Sequence, residues 1–136
     1  MAVSTEIVLD TSALIAVLAN EAEAADMLRA LTGPQRLLIS AASKTELLIV
    51  IESRLGPAGV AKASQLLAVL GVETVPVDDA LADLAADALF RWGKGRHPAR
   101  LNFGDSFAYA LAKQLNAPLL FKGNDFSHTD LQSALL

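Results

Sequence analysis

One stretch limits the possible folds of this chain more than any other: Glu6-Ile7-Val8-Leu9-Asp10-Thr11-Ser12, followed at once by Ala13-Leu14-Ile15-Ala16-Val17-Leu18. An apolar run that stops on a carboxylate reads as a buried strand delivering Asp10 to its carboxyl end. The run after it has the composition of a packed helix, and Thr11 or Ser12 is expected to cap it by accepting a backbone N–H. In parallel α/β sheets, sites form at this edge. Asp10 alone decides nothing, because an aspartate after a strand is equally at home as a turn or cap residue.

The rest of the chain repeats the alternation. Residues 21–31 place Ala24, Met27, Leu28 and Leu31 on one helical face before Gly33-Pro34. A short strand over 36–39 leads into a helix over 40–55, which Gly56-Pro57 breaks; a further helix covers 58–70 and a strand 72–77. Pro76 assigns that strand to a sheet edge, where a missing N–H costs least. Asp78 is expected to cap a helix that keeps Leu81, Leu84, Ala85, Ala88 and Trp92 in register until Gly93. Asn102-Phe103-Gly104-Asp105 starts another helix, residues 119–121 form a buried strand, and residues 131–136 add a short edge strand. The 136 residues fit a single domain, 1–136, with no repeat or linker.

Composition closes several routes. No cysteine is present, so thiolate chemistry is excluded and metal ligation is left to oxygen and imidazole. A net charge of -4 argues against broad nucleic-acid affinity while leaving room for a local basic loop. The first apolar run is too short for a secretory segment, and no run approaches the roughly 20 residues of a membrane span, so a cytoplasmic protein without membrane contact is expected. Hydrophobic residues at 53% against 19% charged raise two options, a large core or a surface covered by a partner.

Four acids, Asp10, Glu46, Asp105 and Asp125, all fall just after strands or in the first turns of helices that follow strands. Each has a plain structural alternative. Glu46 can close a capping box over Ser43-Lys44-Thr45-Glu46, and Asp105 can serve the helix that Asn102 caps. A parallel sheet would instead bring the four to one edge, where they would raise one another's pKa values unless cations neutralised them. Oxygen-only ligation points to Mg²⁺, with Mn²⁺ able to substitute. Gly93-Lys94-Gly95-Arg96-His97-Pro98-Ala99-Arg100 concentrates positive charge in an acidic chain, as a solvated helix end or as a loop that holds phosphates through Lys94, Arg96 and Arg100. Ser12 stands where a haloacid-dehalogenase-type phosphatase needs its second Asp. A receiver domain needs paired acids after its first strand, and no nucleophile elbow accompanies His97 or His128.

Four segments together resemble the PIN-domain ribonucleases, and within them the VapC-type toxins of toxin–antitoxin pairs. They are Val8-Leu9-Asp10-Thr11-Ser12-Ala13-Leu14, Glu46 within its helix, Leu101-Asn102-Phe103-Gly104-Asp105-Ser106-Phe107-Ala108-Tyr109-Ala110-Leu111-Ala112, and Leu119-Leu120-Phe121-Lys122-Gly123-Asn124-Asp125-Phe126. The resemblance implies a Mg²⁺-dependent endoribonuclease on an α/β/α sandwich with a mainly parallel, five-stranded sheet. It also implies a homodimer inhibited by a cognate VapB-type antitoxin. By position it makes Asp10 and Asp105 the principal metal ligands, Glu46 a further ligand or water-orienting group, and Ser12 a supporting or substrate contact. Asp125 would complete a second metal site; many relatives carry two acids spaced two apart here, but Gly123 occupies the first of those places. The alternatives are a PIN nuclease of RNA processing without an antitoxin, and a non-catalytic binding module whose acids only cap helices.

Overall fold

A computed structural model describes residues 5–135. Four strands pair in the order β3-β2-β1-β4, every pairing parallel: β1 (Glu6–Leu9), β2 (Arg36–Ser40), β3 (Glu73–Val75) and β4 (Leu119–Leu120). β1 lies inside the sheet. Its side chains alternate between two cores, which explains the apolar character of its whole interior. Ile7 and Leu9 join Leu37 and Ile39 under α1 (Thr11–Leu18), α2 (Ala24–Leu31) and α3 (Ala41–Val69), whereas Val8 joins Leu119 and Phe121 under α4 (Asp79–Trp92) and α5 (Phe103–Leu115). Helices on both faces make the three layers expected of the chain.

The sheet has four strands where five were expected. Residues 131–135 contribute a single parallel bridge, Leu119 to Ser133, closed by Leu119 N donating to Gln132 O and Ala134 N to Leu119 O at 2.9 Å each; Leu136 lies outside the described residues. β4 is only two residues long, so its outer side offers too few positions for a further ladder. β3 is also shorter than expected. It ends before Pro76 at the sheet edge, in keeping with the proline's missing donor.

α3 continues through Gly56-Pro57 as two helices joined at a kink, with Gly56 at φ 69° supplying a left-handed backbone that a side chain would resist. Asp10, rather than Thr11 or Ser12, caps α1. Its extended backbone turns the carboxylate onto Ser12 N, while Thr11 enters the helix and donates its hydroxyl to Ser43 O at 3.1 Å. The helix already begins at Thr11, so the cap position falls to Asp10, a role worth about 1 kcal/mol. α2 begins at Ala24 instead of 21: Glu21 sits in the turn before it, with Glu21 N donating to Ala16 O and Ala24 N to Glu21 O, and Glu21 and Glu23 pair with Lys122.

Candidate active site

Because all four strands are parallel, their carboxyl ends share one edge; Asp10 and Asp125 follow β1 and β4, Glu46 stands on the helix after β2, and Asp105 stands on α5, which follows α4 and a loop rather than a strand as expected. Asp10 is 5% exposed. Its Oδ2 accepts from Ser12 N at 3.0 Å and from Ser12 Oγ at 2.5 Å, and that hydroxyl accepts in turn from Lys122 N at 3.0 Å. Ser12 therefore pins the exit of β1 to the exit of β4, which carries Asp125. The Lys122 ammonium secures the same loop through Glu21 at 2.9 Å, and Arg54 reaches Glu21 from α3.

Asp105 occupies the third position of α5 in a complete capping box: Asp105 N donates to Asn102 Oδ1 at 2.9 Å and Asn102 N donates to Asp105 Oδ2 at 3.0 Å. The capping explanation is thus correct, and it coexists with the other one. Burial pushes the Asp105 carboxyl up to about 7 against the Asn102 bond, with Asp10, Asp125 and Glu46 each adding repulsion. Asp10 is also raised, by burial first and by Glu46 in addition, against the Ser12 bonds. The four carboxylates form one electrostatic unit.

Glu46 reaches this unit by a route that excludes its capping alternative. Ser40 is the N-cap of α3, accepting from Ala42 N at 3.2 Å, so Glu46 stands in the second turn, too far along to close a box. Its carboxylate lies against Gly104. A Cβ at Gly104 would come within 2.7 Å of Glu46 Cδ, so the bare backbone of α5 makes the space that the acid fills. Asp125 follows β4 just before the 3-10 turn Phe126–His128, exposed and without a cap bond of its own.

Among the described residues, no three acidic or histidine side chains stand in a ready-made ion-holding arrangement. The donor set nevertheless suits a hard cation. It is all oxygen, two of its acids are raised toward neutrality, and none of the four forms an ion pair among the described residues. Asp10 and Asp105 are each held through one oxygen, Oδ2, so that the other oxygen of each would be the one to meet an ion.

The basic segment is an independent loop at the same end of α5. Lys94 N donates to Leu101 O and Leu101 N to Trp92 O, closing the loop immediately before Asn102. Lys94, Arg96, His97 and Arg100 line an open depression of about 460 Å³. The three cations form no ion pair among the described residues, although Arg96 lies 5.7 Å over the Phe90 ring. His97 shapes the loop from inside, accepting from Ala99 N through Nδ1 and meeting Trp92 edge-on at 4.6 Å. Arg100 takes a left-handed φ of 56°, a conformation that costs a non-glycine residue about 1–2 kcal/mol.

Two contributors escaped the sequence reading. Gly104 matters through what it lacks, and its signal was a glycine in the first turn of a helix, a poor place for it on propensity alone. Lys122 acts through its backbone N–H and its distant ion pairs, for which the sequence carries no local signal.

The chain has relatives and fold neighbours among known proteins. The PIN-domain family model matches residues 7–131, and the chain belongs to that family. Within it the likeness is to VapC ribonucleases. Ribonuclease VapC30 of Mycobacterium tuberculosis is 44% identical over 129 residues, covering 95% of this chain and 98% of the relative. Ribonuclease VapC of Mycolicibacterium smegmatis is 47% identical over 124 residues, covering 91% and 96%. Among solved structures, VapC20 of Mycobacterium tuberculosis, a sarcin-ricin-loop-cleaving toxin, superposes with a TM-score of 0.77 at 20% identity, over 92% of this chain and 95% of that one. VapBC2 of Rickettsia felis bound to a promoter DNA fragment gives 0.71 at 15% identity, over 94% and 96%. At such identities these structures speak to the fold, which they share.

Proposed function

We propose that the chain is a Mg²⁺-dependent endoribonuclease that hydrolyses RNA phosphodiester bonds and acts as the toxin of a type II toxin–antitoxin pair. The observation that carries this reading is the electrostatic union of Asp10, Glu46, Asp105 and Asp125 at the carboxyl edge of the sheet. The VapC ribonucleases it resembles supply the substrate class. Asp10 and Asp105 are the principal ligands, Glu46 lies beside them as a further ligand or water-orienting group, and exposed Asp125 completes the set from the outside. Bound there, Mg²⁺ or Mn²⁺ supplies a water of lowered pKa and stabilises charge on phosphoryl oxygens. Ser12 holds Asp10 in place and links it to the loop of Asp125. Lys94, Arg96 and Arg100 hold substrate phosphates beside the acids.

The partners of this reading are an RNA, a VapB-type antitoxin and a second copy of the chain. Exposed Ile49 and Val69 on α3 offer apolar surface for such protein contacts. The reading places its action in the cytoplasm; no helix among the described residues is long and apolar enough to cross a membrane.

The test is cleavage of total RNA by the purified chain with Mg²⁺ and with chelator. Activity is expected only with metal, and Asp10→Asn or Asp105→Asn is expected to lower it by more than the roughly 100-fold that a lost supporting group around a metal ligand can cost. Wild-type turnover in either folded variant would end the assignment. Neutralising Lys94, Arg96 and Arg100 together is expected to weaken RNA binding and to reduce the salt slope by about 2, at about 0.7 per phosphate contact on a single strand. An unchanged slope would make the loop a solvated helix end.

A further inference from the structure

The buried hydroxyl of Tyr109 joins two parts of the molecule that the acids and cations do not themselves connect. Tyr109 lies on α5 one turn after Asp105, and Lys113 follows one turn later, so the three share a face of the helix. The hydroxyl accepts from Trp92 Nε1 at 2.9 Å and donates to Asp130 Oδ1 at 2.5 Å, while Lys113 Nζ holds the other oxygen of Asp130 at 3.1 Å. Burial, with the Asp130 bond, pushes the phenol up to about 12, so it keeps the proton that it donates. Against burial, the bonds from Tyr109 and Lys113 hold the Asp130 carboxyl below its ordinary value and ionised.

The two partners of the hydroxyl stand in different loops. Trp92 ends α4, its carbonyl accepts from Leu101 N where the basic loop closes, and its ring meets His97 of that loop edge-on at 4.6 Å. Asp130 follows the turn Phe126–His128 that begins after Asp125. Thr129 donates to Phe126 O through its N–H at 3.1 Å and through its hydroxyl at 2.6 Å, which makes the turn and Asp130 one stiff piece. Among the described residues no hydrogen bond runs from one loop directly to the other, and the Tyr109 hydroxyl is where they meet. A cavity of about 210 Å³ between α4 and α5 borders both Trp92 and Tyr109. Close packing therefore does not fix the two rings on that side, and the polar chain sets their place.

We propose that Tyr109 is a positioning residue of the nuclease site: its hydroxyl ties the base of the cationic loop to the turn after Asp125, so that substrate phosphates meet the acids at one fixed spacing. This role rests on the ribonuclease reading above and adds to it a residue that touches neither RNA nor metal.

Tyr109→Phe keeps the ring and removes the junction. Binding is read from the anisotropy of a fluorescein-labelled 12-nucleotide RNA in an Asp10→Asn background with Mg²⁺, so that the probe stays intact. Tyr109→Phe and Asp130→Ala are each expected to weaken binding about tenfold and to lower the salt slope, as a displaced loop gives up phosphate contacts. The double variant is expected to bind no worse than either single one, because both cut the same chain of bonds. Asp130→Asn, whose carbonyl still accepts from the hydroxyl, is expected to keep wild-type affinity. Trp92 is the only tryptophan, so its emission reads the base of the loop and should move to longer wavelength in Tyr109→Phe, as the indole N–H turns to water.

Wild-type affinity and salt slope in Tyr109→Phe, whatever its melting temperature, would reduce the hydroxyl to a structural part and overturn the proposal. An equal loss in Asp130→Asn would do the same by assigning the effect to charge, and so would an undiminished effect of Tyr109→Phe once Lys94, Arg96 and Arg100 are neutralised, since the hydroxyl would then act elsewhere than through the loop. Each of these results leaves Mg²⁺-dependent cleavage by the wild-type chain standing, whereas absence of that cleavage removes the ribonuclease reading and this role together.

Discussion

The two rims of the sheet treat acids in opposite ways. At the amino ends of the strands, Arg36 on β2 bridges Glu6 of β1 at 2.9 Å and Glu73 of β3 at 2.5 Å, and these neighbours hold the guanidinium more firmly protonated. At the carboxyl ends, four acids have no cation among the described residues, and burial drives two of them toward the neutral form. A fold that needed only to satisfy its charges would have built both rims like the first. The second rim carries a standing electrostatic cost, which a bound cation would relieve under the function proposed above.

The largest expected consequence is stabilisation by metal at one rim only. At a free Mn²⁺ concentration about 100 times its dissociation constant, linkage adds about 2.7 kcal/mol to the fold. Asp10→Asn should lose most of that increment and melt higher than wild type in chelator, and Asp125→Asn, at the exposed edge of the set, should lose less. Thermal melts with chelator and with saturating Mn²⁺ measure this; equal shifts in wild type and Asp10→Asn would erase the contrast between the rims.

Gly104→Ala sharpens the comparison without touching a charge. The added methyl collides with the Glu46 carboxylate and displaces it from Asp105, so activity should fall about 10- to 100-fold, as when support around a metal ligand is lost. Alanine is the better helix former by about 0.5–1 kcal/mol, so the fold should hold. Cleavage rates alongside urea denaturation read both quantities, and unchanged activity would mean that Glu46 needs no fixed place.

A pH titration of the chelated protein comes next. Asp105 titrates at about 7 in the folded protein against an ordinary value of 3.8. Between these values the native state keeps a proton that the unfolded chain has released, so stability falls as pH rises across that window. The contribution is complete below about pH 4 and lost above about pH 7. Denaturant midpoints should therefore decline over this range in wild type and decline less in Asp105→Asn; parallel curves would show that the acid is not desolvated. The smallest effect belongs to the paired rim. Arg36→Ala breaks two solvent-exposed bridges, so the urea midpoint should move least of all and cleavage should stay unchanged.

Much of the frame was legible because local rules point one way. Alternating apolar strands and amphipathic helices of these lengths pack as α/β layers, Gly56-Pro57 and Pro76 act on the backbone wherever they stand, and Asp78 and Asn102 cap the helices that follow them. For Asp10, Glu46 and Asp125 the position after a strand was also legible, since a parallel sheet converts it into a shared edge; Asp105 departs from that reading, because α5 follows α4 and the basic loop with only the isolated bridge Gly93–Leu101 between them. The fifth strand was misread because pairing depends on the partner: residues 131–135 have a β4 of two residues to join, and nothing within their own sequence records its length.

The amino-acid sequence by itself determined the alternation of most strands and helices, the absence of thiol chemistry and the candidacy of the four acids. Tertiary structure alone decided the rest of the site. It chose Asp10 over Thr11 and Ser12 as the cap, set Glu46 on the backbone of Gly104, tied Ser12 to Lys122 across 110 residues, and raised Asp105 through burial and three distant neighbours. The physical reason is range. Propensity and capping act within a few residues and leave their mark in local sequence, whereas desolvation and Coulomb repulsion depend on distances that exist only once the chain has folded.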